Sequence, residues 1–132
     1  MKQAAYSRRA ILIACLLLSA CVGGSEPEER ADFVLFFLAQ STDLDPAAAD
    51  ILTRAVAAAN AAPRSTVTVA GYADRSVTPQ ANQILSRLRA QTVADTLAER
   101  GIARTRIHLQ PRAAVGGDPG LESRRVEIRI GS

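Results

Sequence analysis

Two capping residues that are each followed by proline constrain the fold of this chain most, because they predict where helices begin. Asp45-Pro46 and Thr78-Pro79 place an oxygen-bearing side chain before a proline, which a helix tolerates only in its first turn. The first helix is predicted over the alanine-rich stretch Ala47–Ala61. The second is predicted to end at Arg100, because Gly101 is well placed to terminate it.

Strand patterns flank both predicted helices. Asp32–Leu38 is mostly apolar and is predicted to be a buried strand, whereas Thr66–Ala70 and Arg125–Ile130 alternate as half-buried strands do. Ile107–Gln110 is a shorter strand candidate. The order β-α-β-α-β-β favours an α+β, two-layer domain with its helices packed on one face of a mixed sheet. The expected apolar sides are Ile51, Leu52, Ala55 and Val56 in the first helix, and Ile84, Leu85, Leu88, Val93 and Leu97 in the second.

The N-terminal segment has the pattern of an export signal. Lys2, Arg8 and Arg9 precede the apolar run Ala10–Leu18, as in a secretory signal peptide. As a helix this run is about 14 Å long, too short for a hydrocarbon core of about 30 Å. The sequence Leu18-Ser19-Ala20-Cys21 resembles the lipobox of bacterial lipoproteins. That resemblance implies removal of residues 1–20 and lipidation of Cys21; the alternative is an uncleaved apolar N-terminus with incidental cysteines.

Residues 21–31 are predicted to be the lipidated cysteine and a flexible tether, since they are rich in Gly, Ser, Pro and Glu. Residues 32–132 then form one domain. Val22 follows the cysteine where lipoproteins kept in the inner membrane often carry Asp, which suggests an outer-membrane anchor with the domain in the periplasm. Removing three basic residues with the signal leaves 16 − 3 = 13 basic against 13 acidic residues, which argues against a nucleic-acid partner.

A spaced set of polar residues surrounds the start of the second helix. Gly71-Tyr72-Ala73-Asp74 ends the second strand, Asn82 lies eight positions after Asp74, and Arg89-Ala90 begins fifteen positions after it. These residues, with Leu85-Ser86, resemble the signature of the OmpA-like peptidoglycan-binding family. Ser123-Arg124-Arg125-Val126-Glu127-Ile128 resembles the family's closing strand. The resemblance covers about Asp32 to Ile130 and implies the family's two-layer fold.

The chemistry of these residues can also be derived from helix geometry. Asn82 and Arg89 point within about 20° of each other on a helix, and Ser86 lies about 40° from Asn82. One helix face therefore offers an amide, a hydroxyl and a guanidinium. With Asp74 in the preceding loop, the set would suit a zwitterion, whose ammonium faces Asp74 and whose carboxylate faces Arg89. The simpler alternative is a structural ion pair or a helix cap.

The resemblance implies a ligand and ranks the residues that contact it. The family binds the free amino-acid end of meso-diaminopimelate in the peptidoglycan stem peptide, noncovalently, through the residues aligned with Asp74 and Arg89. Ser76, Asn82 and Arg124 would be secondary contacts, and Gln40 stands where relatives often have Asn. No enzyme, cofactor or metal site is expected, because the mature chain has no thiol beyond Cys21 and its only histidine is His108, in a predicted strand.

Departures from the family pattern leave a second function open. Tyr72 and Ala73 stand where the family usually has His and Thr, and both would touch the wall of the binding groove. The OmpA-like fold could therefore be an interaction module retuned to a protein partner in an envelope or secretion complex. Retention of Asp74 and Arg89 favours peptidoglycan instead.

Overall fold

The computed structural model describes residues 32–73, 78–112 and 120–131. The predicted signal peptide, Cys21, the tether, Asp74 and Ser76 lie outside the described residues. The α+β class and the order β-α-β-α-β-β are confirmed. Neither α-helix is long and apolar enough to cross a membrane, within the described part of the chain. The elements are β1 (Phe33–Phe36), α1 (Pro46–Ala61), β2 (Thr66–Gly71), α2 (Pro79–Glu99), β3 (Ile107–Pro111) and β4 (Arg125–Gly131), with 3-10 turns at Arg104–Arg106 and Leu121–Ser123.

The strands form a mixed sheet in the order β1-β4-β2-β3. β4 runs antiparallel to both β1 and β2, whereas β2 and β3 are parallel, with α2 as the crossover between them. The prediction of a buried first strand is wrong for part of β1. Phe36 pairs with Arg125 on the face of the sheet opposite the helices and is 43% exposed, whereas Leu35 pairs with Val126 on the core face and is fully buried.

The hydrophobic core lies between one face of the sheet and the two helices. Because side chains alternate along a strand, every second residue of the central strands points into this core. Val67 and Val69 of β2 meet Val126 and Ile128 of β4 there, each no more than 1% exposed. The predicted apolar side of α1 is confirmed, because its four members are either buried or packed against the core.

The orientation of α2 differs from the prediction in the first half of the helix. Ile84 and Leu88 are 60% and 49% exposed, and the buried residues at this level are the polar Asn82, Ser86 and Arg89. A residue two positions from Ser86 lies about 200° from it around a helix and must face outward when Ser86 faces the sheet. The packing of Ser86 against the sheet therefore determines which face of α2 is buried, although the apolar residues Ile84 and Leu88 lie on the opposite face.

The predicted helix boundaries are confirmed by their caps. The Oδ1 atom of Asp45 accepts a hydrogen bond from the Ala48 N–H at 2.7 Å, and the Oγ1 atom of Thr78 accepts one from the Ala81 N–H at 3.3 Å. α2 ends in a Schellman motif around Gly101, whose φ of +101° lies in the left-handed region. In this motif the Ile102 N–H donates to the Leu97 carbonyl and the Gly101 N–H to that of Ala98.

We expect Asp45→Ala to lower the free energy of unfolding by about 1 kcal/mol, because it removes the acceptor that caps α1. Urea denaturation followed by circular dichroism measures this loss. Asp50→Ala is the matched control, since it removes an exposed carboxylate from the middle of the same helix. An equal loss in both variants would mean that the cap hydrogen bond does not stabilise α1.

Candidate functional site

Arg89 of α2 lies at the centre of the loops at one end of the sheet and is fully buried. Its Nε donates to the Ser41 carbonyl at 2.9 Å and its Nη2 to the Leu38 carbonyl at 2.9 Å. Its Nη1 donates to the Tyr72 carbonyl at 3.2 Å. One side chain therefore joins α2, the connection between β1 and α1, and the residue that follows β2.

The surroundings of Arg89 compensate for the loss of its hydration. The carbonyl dipoles point their negative ends at the guanidinium, and the Phe37 ring lies 5.2 Å from its Cζ, within cation–π range. Because hydrogen bonds are directional, these three contacts orient the guanidinium. An oriented cation of this kind can bind a carboxylate.

Asn82 and Ser86 share the buried face of α2 with Arg89, as their spacing predicts. Asn82 is 3% exposed and Ser86 is fully buried. The Ser86 hydroxyl donates to the Gln83 carbonyl at 3.0 Å, within its own helix. Asp74 and Ser76 fall in the stretch 74–77, outside the described residues, between the end of β2 and the cap of α2.

Arg124 and Gln40 lie at the same end of the sheet as Arg89. The Arg124 Nε donates to the Phe37 carbonyl at 3.4 Å, and the Arg124 carbonyl accepts from the Phe37 N–H at 2.8 Å. Gln40 is exposed, in the turn before Ser41, and has a φ of +56°. Glycine, asparagine and aspartate adopt that left-handed conformation more readily than other residues. Three of the six predicted site residues, Arg89, Arg124 and Gln40, are thus gathered around the connection between β1 and α1.

Tyr72 and Ala73, which were expected to touch the wall of a binding groove, are both buried. Ala73 is fully buried and Tyr72 is 7% exposed. The Tyr72 hydroxyl donates to Oε2 of Glu127 at 3.2 Å, and its ring lies 4.1 Å from Cζ of Arg125. Because Arg125 and Glu127 alternate with the core residues of β4, the Tyr72 side chain lies on the outer face of the sheet.

Sequence reasoning missed this outer-face cluster, which consists of Tyr72, Arg125, Glu127 and Arg129. Glu127 accepts from the Arg125 Nε at 2.8 Å and from the Arg129 Nη2 at 2.9 Å. The alternation Arg-Val-Glu-Ile-Arg in β4 could have indicated it, because period-2 spacing puts the three charged residues on one face.

The close approach of α2 to the end of β2 depends on Gly71. A Cβ atom at Gly71 would lie 2.0 Å from the Ser86 carbonyl oxygen and 3.0 Å from the Ala90 Cβ. Glycine therefore lets the polar face of α2 reach the sheet end where Arg89 meets Tyr72. In the described part of the chain, no three His, Cys, Asp or Glu side chains are grouped as metal ligands would be.

Comparisons with known proteins agree with this fold. The sequence profile of the OmpA family matches residues 36–121, well over half of the chain. The peptidoglycan-associated lipoprotein from Burkholderia pseudomallei superposes with a TM-score of 0.68 at 18% identity, over 74% of this chain and 89% of that one. The OmpA-like domain of FopA1 from Francisella tularensis gives 0.64 at 24% identity, over 75% and 74%. The periplasmic domain of MotB from Helicobacter pylori gives 0.62 at 18% identity, over 74% and 68%. No curated protein sequence matches significantly.

Proposed function

The chain belongs to the OmpA family, and we propose that its domain binds peptidoglycan noncovalently through the diaminopimelate of the stem peptide. The observation that carries this proposal is the buried guanidinium of Arg89, which hydrogen bonds to backbone carbonyls hold in a fixed orientation. Its position at the sheet end from which residues 74–77 continue supports a joint site with Asp74. A structural neighbour that is itself a peptidoglycan-associated lipoprotein supports the choice of ligand.

The proposed ligand is complementary to this pair of charges. The amino-acid end of diaminopimelate carries an ammonium, which would bind the Asp74 carboxylate, and a carboxylate, which would accept hydrogen bonds from Arg89. Arg89 is fully covered by the rest of the domain. Direct contact therefore requires a local rearrangement of the groups that cover it, as in many complexes whose loops move on binding. Asn82, Ser76, Arg124 and Gln40 would be secondary contacts.

Binding of this kind requires no bond to be made or broken, so the protein acts as an anchor and not as an enzyme. Residues 1–20 would be removed and lipid attached to Cys21, which would hold the protein in the outer membrane with its domain in the periplasm. A tether of ten residues, 22–31, reaches about 35 Å at full extension. The protein would thus link the outer membrane to the cell wall beneath it.

The burial of Tyr72 and Ala73 bears on the alternative, an envelope or secretion partner bound at a retuned groove. A fully buried Ala73 and a Tyr72 that is 7% exposed offer almost no surface for a partner to contact. The Tyr72 substitution is explained by packing on the outer face of the sheet. Because Arg89 is equally buried, it is the outer-face position of the Tyr72 ring, opposite the face that the helices cover, and not its burial, that favours peptidoglycan.

The proposal is tested by co-sedimentation of the full-length protein, purified in detergent, with diaminopimelate-containing sacculi. Asp74→Asn removes a charge at nearly constant shape, and we expect it to weaken binding by tenfold or more, about the worth of a hydrogen bond to a charged group. Asp50→Asn, which neutralises an exposed carboxylate on α1, is the control and should bind like the parent.

Free meso-diaminopimelate and sacculi that contain lysine in its place identify the ligand. We expect the free amino acid to release the bound protein and the lysine-type sacculi to retain little of it. If the folded parent stays in the supernatant with both kinds of sacculi, the peptidoglycan proposal is wrong. Equal binding to both kinds of sacculi would support the peptidoglycan anchor but exclude diaminopimelate as its ligand.

A further inference from the structure

Tyr72 connects the outer face of the sheet to the buried guanidinium of Arg89. Its carbonyl accepts a hydrogen bond from the Arg89 Nη1 at 3.2 Å. Its N–H donates to the Arg125 carbonyl at 2.8 Å, which extends the pairing of β2 with β4 by one residue. The main chain of Tyr72 thus lies between α2 on one side and β4 on the other.

The Tyr72 side chain is held from two directions on the outer face. The guanidinium of Arg125 lies over the ring, with Cζ 4.1 Å from its centroid, and the hydroxyl donates to Oε2 of Glu127 at 3.2 Å. Stacking fixes the rotation of the ring about the Cβ–Cγ axis, and the hydrogen bond fixes the position of the hydroxyl at the end of that axis. A side chain constrained in both ways limits the positions that its own carbonyl can adopt.

The partners of Tyr72 are themselves constrained. The Glu127 carboxylate accepts hydrogen bonds from Arg125 and Arg129 as well as from the tyrosine. The Arg125, Glu127 and Arg129 side chains are 22%, 12% and 17% exposed, so water screens their interactions less than it screens those of a surface pair. The charged residues of the outer-face cluster therefore hold the Tyr72 side chain, and through it the Tyr72 carbonyl, in one position.

We propose that Tyr72 is a positioning residue for the ligand site, because its clamped ring fixes the carbonyl that orients Arg89. This inference rests on the proposed function. It assigns to the outer-face cluster a role in the ligand site around Arg89, which lies at the end of the sheet. If the ring were removed, the Tyr72 carbonyl would be free to shift. One of the three described carbonyls that direct the Arg89 guanidinium would then be displaced.

The test compares Tyr72→Ala and Tyr72→Phe with Ile130→Ala in the full-length protein. Ile130 lies at the far end of β4, partly buried against the core, and serves as the control for general loss of stability. Affinity for diaminopimelate-containing sacculi is the first readout. Hydrogen exchange at the Arg89 Nη1 group, which donates to the Tyr72 carbonyl, is the second readout and is followed by NMR without ligand. Ile130→Ala shows how far general destabilisation alone changes this exchange.

We expect Tyr72→Ala to weaken sacculus binding about tenfold, and Tyr72→Phe, which keeps the ring and loses the hydroxyl, about threefold. Exchange at the Arg89 Nη1 group should accelerate in Tyr72→Ala and stay unchanged in Ile130→Ala. The inference is overturned if exchange in Tyr72→Ala matches the parent, whatever happens to binding, or if Tyr72→Ala binds no worse than Ile130→Ala. If the parent itself does not bind sacculi, the proposed function fails, and the exchange rate alone decides whether Tyr72 positions Arg89.

Discussion

Replacing Arg89 by alanine is expected to lower the free energy of unfolding by about 3 to 5 kcal/mol, because it leaves three partly or fully buried carbonyls without a donor and opens a cavity. The substitution would leave the carbonyls of Leu38, Ser41 and Tyr72 without their donor. Each buried acceptor left unsatisfied costs about 1 to 3 kcal/mol, reduced where water can enter. A cavity would also open beside Phe37, whose ring packs against the guanidinium.

Urea denaturation of Arg89→Ala and the parent measures this loss, and Arg87→Ala is the matched control. Arg87 lies on the exposed side of the same helix, two residues away, so its removal should change stability by less than about 0.5 kcal/mol. A loss below about 1 kcal/mol in Arg89→Ala would show that the three carbonyls find other donors. Arg89 would then not be the residue that joins these segments.

This expected loss changes how binding experiments must be designed. A sacculus-binding defect in Arg89→Ala would follow from a loosened domain as readily as from a lost ligand contact. Arg89→Lys keeps the positive charge but lacks the planar fork that reaches several acceptors at once, so it is not a neutral replacement either. Asp74→Asn is therefore the more informative variant for the ligand, with Arg89 variants interpreted only beside their stabilities.

The element order and the helix ends could be predicted from sequence because they depend on neighbouring residues. Asp45 caps an N–H three residues ahead of it. At the end of α2, the Gly101 N–H bonds the carbonyl three residues before it, and the Ile102 N–H bonds the carbonyl five residues before it. Such signals need no knowledge of the rest of the fold. The edge position of β1 depends instead on which strand it pairs with in the folded sheet. The exposure of Phe36 depends on which face of that sheet the helices cover, and an apolar run in the sequence does not predict this.

The candidate site was predictable only in part for a related reason. Helix periodicity puts Asn82, Ser86 and Arg89 on one face, and the structure has them buried together. The same periodicity could not tell which face turns inward, and apolar content favoured Ile84 and Leu88, which are exposed. Two of the three described carbonyls that hold Arg89 belong to Leu38 and Ser41, about fifty positions away, and any residue type can supply a backbone acceptor, so the sequence does not indicate it.

Gly71→Ala is expected to lower the free energy of unfolding by about 3 kcal/mol, at the upper end of what overpacking a core costs. The added Cβ would lie 2.0 Å from the Ser86 carbonyl oxygen, where real Cβ atoms essentially never come within 3.0 Å. The atom in the way belongs to the backbone of α2 and cannot rotate aside as a side chain does. The end of β2 and α2 must therefore separate, by about 1 Å if the motion is along the contact.

The same displacement should weaken sacculus binding, because Ser86 and Arg89 lie on one face of α2 and move with it. Gly131→Ala is the control: a Cβ there meets nothing within 4 Å, so its stability and binding should match the parent. Urea denaturation measures the stability of both variants, and co-sedimentation measures their binding to sacculi. If Gly71→Ala were as stable as the parent, α2 could slide on the sheet at little cost. The fixed geometry of Arg89 against the Tyr72 carbonyl would then have to come from the hydrogen bonds of Arg89 itself.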